Sequence, residues 1–155
     1  MRTLALAAAW LALCGAALPF DPVAFFEGRT SGRGELRQLF KSPRAVTVQS
    51  VGSVARDGTL LLRQHIEVEG DKPRDRLWRL KRVGAQRFSG TLTDARGPVV
   101  AVVEGRAIRI DYRTTDGLHV QQFLTPSGPR ALDNRMSFAK LGLKVATLTE
   151  RIEKR

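Results

Sequence analysis

The sequence predicts an all-β fold, a single antiparallel up-and-down meander of about eight to ten strands closed into a barrel. Three observations carry that prediction. Turn signals recur at short intervals: "RDGT" at 56–59, "EGDKP" at 69–73, "VGAQ" at 83–86, "ARGP" at 95–98, "TDGL" at 115–118 and "PSGP" at 126–129. They supply the Gly, Asp and Pro that tight reversals require. Between them apolar and polar residues alternate over strand lengths, the mark of a half-buried antiparallel strand. Helical patterning is confined to one short stretch near the N-terminus. So long a meander exposes two adhesive edges unless it closes, and the lack of long crossovers favours an up-and-down barrel.

The chain opens with "MRTLALAAAWLALCGAALPFDP". One positive charge at Arg2, an apolar run from Leu4 to Leu13 and then small residues is the order of a secretory signal. Cleavage is expected after Ala16 or Ala17, leaving 18–155 as one barrel domain in the periplasm or outside the cell. The run falls short of the ~20 residues that a membrane-spanning helix needs. Cys14, the single cysteine, is the lipidation candidate, although Leu13 stands where lipid-attachment signals prefer a small residue. Next, Asp21 with Pro22 and "VAFFEG" reads as a capped helical turn ending at Gly28. The glycines of "GRTSGRGEL" (28–36) read as strand bends and close-packing positions, because no Lys-Ser/Thr follows them as a phosphate loop requires.

Strand by strand, the inward stripes follow from the alternation. Leu60, Leu62, Ile66 and Val68 oppose Arg63, His65, Glu67 and Glu69. Trp78 and Leu80 oppose Arg79 and Lys81, while Ile108, Ile110 and Tyr112 oppose Arg109, Asp111 and Arg113. Leu118, Val120 and Leu124 oppose His119 and Gln121, and "PVVAVV" (98–103) is apolar on both faces, as if another element covered it. Near the C-terminus Met136 and Phe138 face inward with Asn134, which is expected near the rim of the lumen. Asp133 and Arg135 are expected to form a cross-strand or mouth ion pair. Arginines on the outer phase argue against a membrane-spanning barrel, which is apolar outward.

Lys and Arg number 26 against 15 Asp and Glu, a formal charge of +11. That excess favours acidic partners, yet it is spread along the chain without a basic block. Single-strand nucleic-acid binders add exposed aromatic platforms to a basic groove. Here Trp78 and Tyr112 fall on apolar phases and only Phe123 falls on a polar one, so no nucleic-acid partner is expected. Only His65 and His119 offer imidazole, both on polar phases, so neither metal nor cofactor is expected. No G-x-S-x-G elbow is present and no cysteine follows the leader, which leaves no obvious nucleophile. A lumen enzyme of isomerase or cyclase type would have Tyr112 as its only inward ionisable group among the residues considered.

Polar intruders on the inward stripes point to the function. Gln64 interrupts Leu60–Val68, Gln122 interrupts Leu118–Leu124, and Gln38 falls between Leu36 and Phe40. A buried amide without a partner costs ~1–3 kcal/mol, so each needs a protein group, a water or a ligand. Either the glutamines pair within a filled core or they look into a ligand cavity. The candidate lumen residues are Gln38, Gln64, Trp78, Ile110, Tyr112, Gln122, Asn134 and Met136. The function expected is non-enzymatic binding of a lipid or other small apolar ligand. The alternative is a filled barrel docking on anionic lipid or a protein through Arg109 and Arg113.

Taken together in order, "FDPVAFFEGRTSGRGEL", "RLWRL", "FSGTLTDARG", "EGRAIRIDY" and "LDNRMSFAKLGLKVATLTERIEK" resemble an uncharacterised proteobacterial lipoprotein family, domain of unknown function 3833. The resemblance runs from about residue 20 to residue 154 and implies an exported, lipocalin-like barrel, with no reaction attached. A tryptophan-containing segment expected before the closing turn is replaced here by "VQQFLTPSG". The glycine-x-tryptophan signature of typical lipocalins is also missing, which makes that kinship architectural.

Overall fold

The computed structural model describes residues 20–155. The expected signal segment, with Cys14, lies outside the described residues. A short helix, α1 (Pro22–Phe26), precedes ten strands: β1 (Gly28–Gln38), β2 (Arg44–Val54), β3 (Leu60–Val68), β4 (Arg74–Gly84), β5 (Arg87–Leu92), β6 (Ala95–Glu104), β7 (Ala107–Thr114), β8 (His119–Gly128), β9 (Ala131–Lys140) and β10 (Leu143–Lys154). Each strand pairs antiparallel with the next, and β1 pairs with β10 in a register that sets Gly32 opposite Ile152 and Gly34 opposite Glu150. The barrel is closed, so no strand edge is left to template association.

The alternation does what it predicts. Leu60, Leu62, Ile66, Trp78, Ile108, Ile110, Tyr112, Val120 and Leu124 are buried, and Arg63, Arg79 and Arg113 are exposed. Burying each such aliphatic or aromatic side chain contributes about 1.5–3 kcal/mol. Three local expectations are corrected. "ARGP" is not a reversal: the turn lies at Thr93–Asp94, and Arg96 to Val100 forms an irregularity in β6 where the register shifts. Gly97 at φ 76° and Pro98, which lacks an N–H, suit a bulge as well as a turn, so composition alone could not separate the two. In "PVVAVV", Val99 and Ala101 are buried while Val100 and Val102 stay half-buried on the outer wall. Phe40 does not continue the inward stripe of β1. It stands fully exposed in the β1–β2 turn.

The helix closes one end of the barrel. Asp21 caps it by accepting a hydrogen bond from the Val23 amide at 3.0 Å, and Pro22 fits the first turn, where an N–H would go unused. Phe25 and Phe26 pack edge to face, with centroids 5.1 Å apart, and join the core cluster with Phe88, Leu60 and Leu132. The Lys154 ammonium donates to the Ala24 carbonyl at 2.7 Å, and Arg82 pairs with Asp21 at 3.5 Å. On β2, Gly52 lies directly under the Phe26 carbonyl, and any β-carbon there would overlap that oxygen. The close approach therefore requires glycine.

Replacing Gly52 with valine should force α1 off the barrel end. The expected cost is about 1–3 kcal/mol, seen as a lowered urea midpoint, as for other overpacking changes. An unchanged midpoint would show that the helix is not seated through this contact.

Candidate functional site

Opposite α1, the turns β1–β2, β3–β4 and β9–β10 surround an uncapped mouth. From it a cavity of 560 Å³ runs down to Pro22, Val23 and Phe26 of the helix, which form its floor. Leu62, Ile66, Ile108, Leu124, Met136 and Leu148 supply apolar wall. Volume and lining lie in the range of small-molecule sites, which are mostly apolar with a few placed polar groups.

Of the candidate lumen residues, Gln38, Gln64, Trp78, Ile110, Gln122, Asn134 and Met136 line this cavity, whereas Tyr112 is buried but does not line it. Tyr112 instead meets the Trp78 ring edge-on, with centroids 5.7 Å apart. The polar intruders divide into two sets. Gln64 is employed: it accepts from the Trp78 indole N–H at 2.6 Å and makes a long bond, 3.4 Å, to the Ser50 hydroxyl. Gln38 accepts from Arg44 at 2.7 Å, and Arg44 also holds Asp71 at 2.7 Å, so this amide belongs to a clasp at the rim. By contrast, Gln122 Oε1 and Asn134 Oδ1 are buried acceptors that no donor reaches. Asn134 is only 3% exposed and is deeper than the rim position expected for it.

Two charged groups in the lumen escaped the sequence reading. Glu150 on β10 is buried, lines the cavity and accepts a hydrogen bond at 2.8 Å from Asn134 Nδ2, its direct cross-strand neighbour. Its carboxylate occupies the space above Gly32, where a β-carbon would collide with it. Burial pushes the Glu150 carboxyl above its ordinary range, against the opposing pull of the Asn134 hydrogen bond and the positive charge of Arg76. The signal was present: Glu150 shares a phase with Leu148 and Ile152, as the glutamines do with their stripes. Arg76 likewise shares the phase of Trp78 and Leu80. It lines the cavity, pairs with Asp94 at 3.5 Å and lies 5.7 Å from the Trp78 ring centroid. Burial raises the Tyr112 phenol above its usual value, and Arg76 opposes the shift.

The outer candidates are arranged differently. Arg109 is compensated by Glu104 at 3.1 Å and Asp111 at 3.5 Å, and Arg113 is exposed with Arg96 and His119 as cross-strand neighbours. Asp133 pairs with Arg151 on β10 at 3.4 Å, not with Arg135. On β9 the two residues share an outward face, but the register brings Arg151 directly opposite Asp133. His65 pairs with Asp75 at 2.7 Å on the outside, and no group of three metal-ligating side chains converges among the described residues. The site can therefore enclose an apolar body beside two buried amide oxygens that lack a protein donor and beside the buried carboxyl of Glu150.

A carboxyl whose folded pKa is raised favours the protonated form in the folded state. Its stabilising contribution is complete below the unfolded value, near 4.5, and is lost as pH rises through the folded value. Glu150→Gln should thus melt higher than the parent at neutral pH and show a smaller loss of stability as pH rises above 4.5. Parallel melts that keep the parent's pH dependence would place the titration elsewhere.

No curated protein matches the chain. Among solved structures, the S-type phycobiliprotein lyase CPES from Guillardia theta is similar, with TM-score 0.69 and 6% identity over 86% of this chain and 89% of that one. Rv2717c from M. tuberculosis is also similar, with TM-score 0.66 and 16% identity over 87% of this chain and 98% of that one. At such identities the likeness is one of fold alone, a closed antiparallel barrel. A family model for proteins of unknown function, DUF3833, matches residues 15–154, and the chain belongs to that family.

Proposed function

We propose that this barrel is a non-enzymatic binding protein of the cell envelope that carries one small, largely apolar molecule in its lumen. The molecule has a hydrogen-bond-donating end, as a lipid with a hydroxyl or amine head would. The observation that carries the reading is the pair of donorless acceptors, Gln122 Oε1 and Asn134 Oδ1, on the wall of an apolar cavity of 560 Å³. A filled structural barrel has no use for such a cavity. Export rests on the leader pattern of residues 1–17, and attachment through Cys14 remains part of the proposal.

Glu150 favours a second reading, lumen chemistry of the isomerase or cyclase type. A buried carboxyl with a raised pKa is a competent acid or base, and one of the similar folds is that of a lyase. The two readings differ in the fate of the bound molecule.

Native mass spectrometry of protein released from its own envelope should show a retained small molecule that denaturation removes. Gln122→Leu should weaken rebinding of that molecule about threefold to tenfold, the worth of one hydrogen bond, without lowering the melting temperature. Release of the molecule unchanged after incubation supports carriage, and release as a product supports the second reading. Bare protein throughout would contradict both.

A further inference from the structure

We infer that the open rim of the barrel is a docking surface for an anionic lipid bilayer. The hairpin turns β1–β2 and β9–β10 stand side by side because β1 is the neighbour of both β2 and β10. The Leu39 amide donates to the Val145 carbonyl at 3.1 Å, tying one turn to the base of the other. Four large apolar side chains project from this double tip: Leu39 at 54% exposed, Phe40 at 102%, Leu141 at 97% and Leu143 at 72%. Elsewhere, Phe123, Val51, Val54 and Val83 are exposed singly along the wall or far end. Single exposed apolar residues are ordinary, whereas a clustered group marks an interaction surface.

Two further features separate this rim from an ordinary loop. Among the described residues Phe40 (φ 61°) and Leu141 (φ 51°) are the non-glycine residues in the left-handed region, and both sit at the very tips. Glycine would satisfy that backbone without strain, as it does at Gly58, Gly70 and Gly117 in other turns. Instead the chain holds bulky apolar groups in water at strained positions, where they contribute nothing to the core. The charges around the tips are also predominantly positive, with Glu69, which accepts from the Ala45 amide, the acidic residue of the β3–β4 turn left unpaired among the described residues. Lys41, Lys72, Arg74, Lys140 and Lys144 are exposed and make no ion pair among the described residues, while Asp71 is neutralised by Arg44. Apolar tips that insert at the headgroup boundary, ringed by free lysines and an arginine, are the complement of an anionic interface. Leu39, Lys41, Lys72 and Arg74 also line the mouth of the lumen, so a docked barrel opens toward the bilayer.

The test is co-sedimentation of the mature chain with vesicles of phosphatidylcholine, with and without phosphatidylglycerol. Cys14→Ser is included wherever that residue is retained, so that no acyl anchor contributes. Binding is expected with phosphatidylglycerol and should fade as salt rises. Lys140→Gln with Lys144→Gln should weaken it by roughly tenfold or more. The decisive variants are Phe40→Gly and Leu141→Gly, which relieve the backbone and so should melt at or above the parent's temperature while losing vesicle binding. Equal binding to neutral and anionic vesicles, vesicle binding unchanged in the glycine variants, or a rim consumed by self-association in sedimentation velocity would each overturn the inference.

Discussion

The pairing of β1 with β10 is the contact on which the rest of the structure depends. A meander of ten strands ends with two free edges, and only their mutual hydrogen bonding converts a sheet with one greasy face into a sealed interior. Closure turns every inward position away from bulk water at once, most completely below the open mouth. Leucine and isoleucine gain from this, while glutamine, asparagine and glutamate there lose their hydration and must find partners. The same pairing brings Gly32 close to Glu150: glycine on β1 leaves room for a carboxylate that β10 turns inward.

From closure follows an axial polarity. At one end α1 folds over the opening, fastened by the Gly52 approach, the Asp21 cap and the Lys154 bond to Ala24. At the other end no element covers the mouth, and the Arg44 clasp of Gln38 and Asp71 only trims its edge. Between them the polar groups differ in what they find. Gln64 on β3 is bonded to both Trp78 on β4 and Ser50 on β2, whereas Gln122 and Asn134 on β8 and β9 each keep an acceptor without a protein donor. An occupant donating toward β8 and β9 would use acceptor capacity that no protein group takes up.

Most of the architecture was legible because a period of two is a direct imprint of a pleated wall with one wet face. The inward placement of Gln64, Gln122 and Asn134 came from that imprint. Alternation reports only which face a residue takes, so it could not say that Gln64 is spoken for by Trp78 while Gln122 is not. Nor could it say that Asp133 meets Arg151, since cross-strand partners depend on register. Glu150 was missed although it obeys the same stripe logic as the glutamines, because a charged residue is readily assigned to solvent by its type. Phe40 failed for a different reason: periodicity ends where the chain leaves the strand, and a turn residue follows backbone φ instead of the stripe. The rim, built of turns, is therefore the part of the molecule that patterning describes least.

The central claim is that the lumen is a largely apolar compartment, open at one end, that needs a donor at its β8–β9 wall. Calorimetric titration with a long-chain alcohol, repeated at several temperatures, tests it most directly. The account predicts one molecule bound per chain, a negative heat-capacity change from apolar burial, and weaker binding of the alkane that lacks the hydroxyl. Absence of saturable heat, or equal affinity for alcohol and alkane, would contradict it.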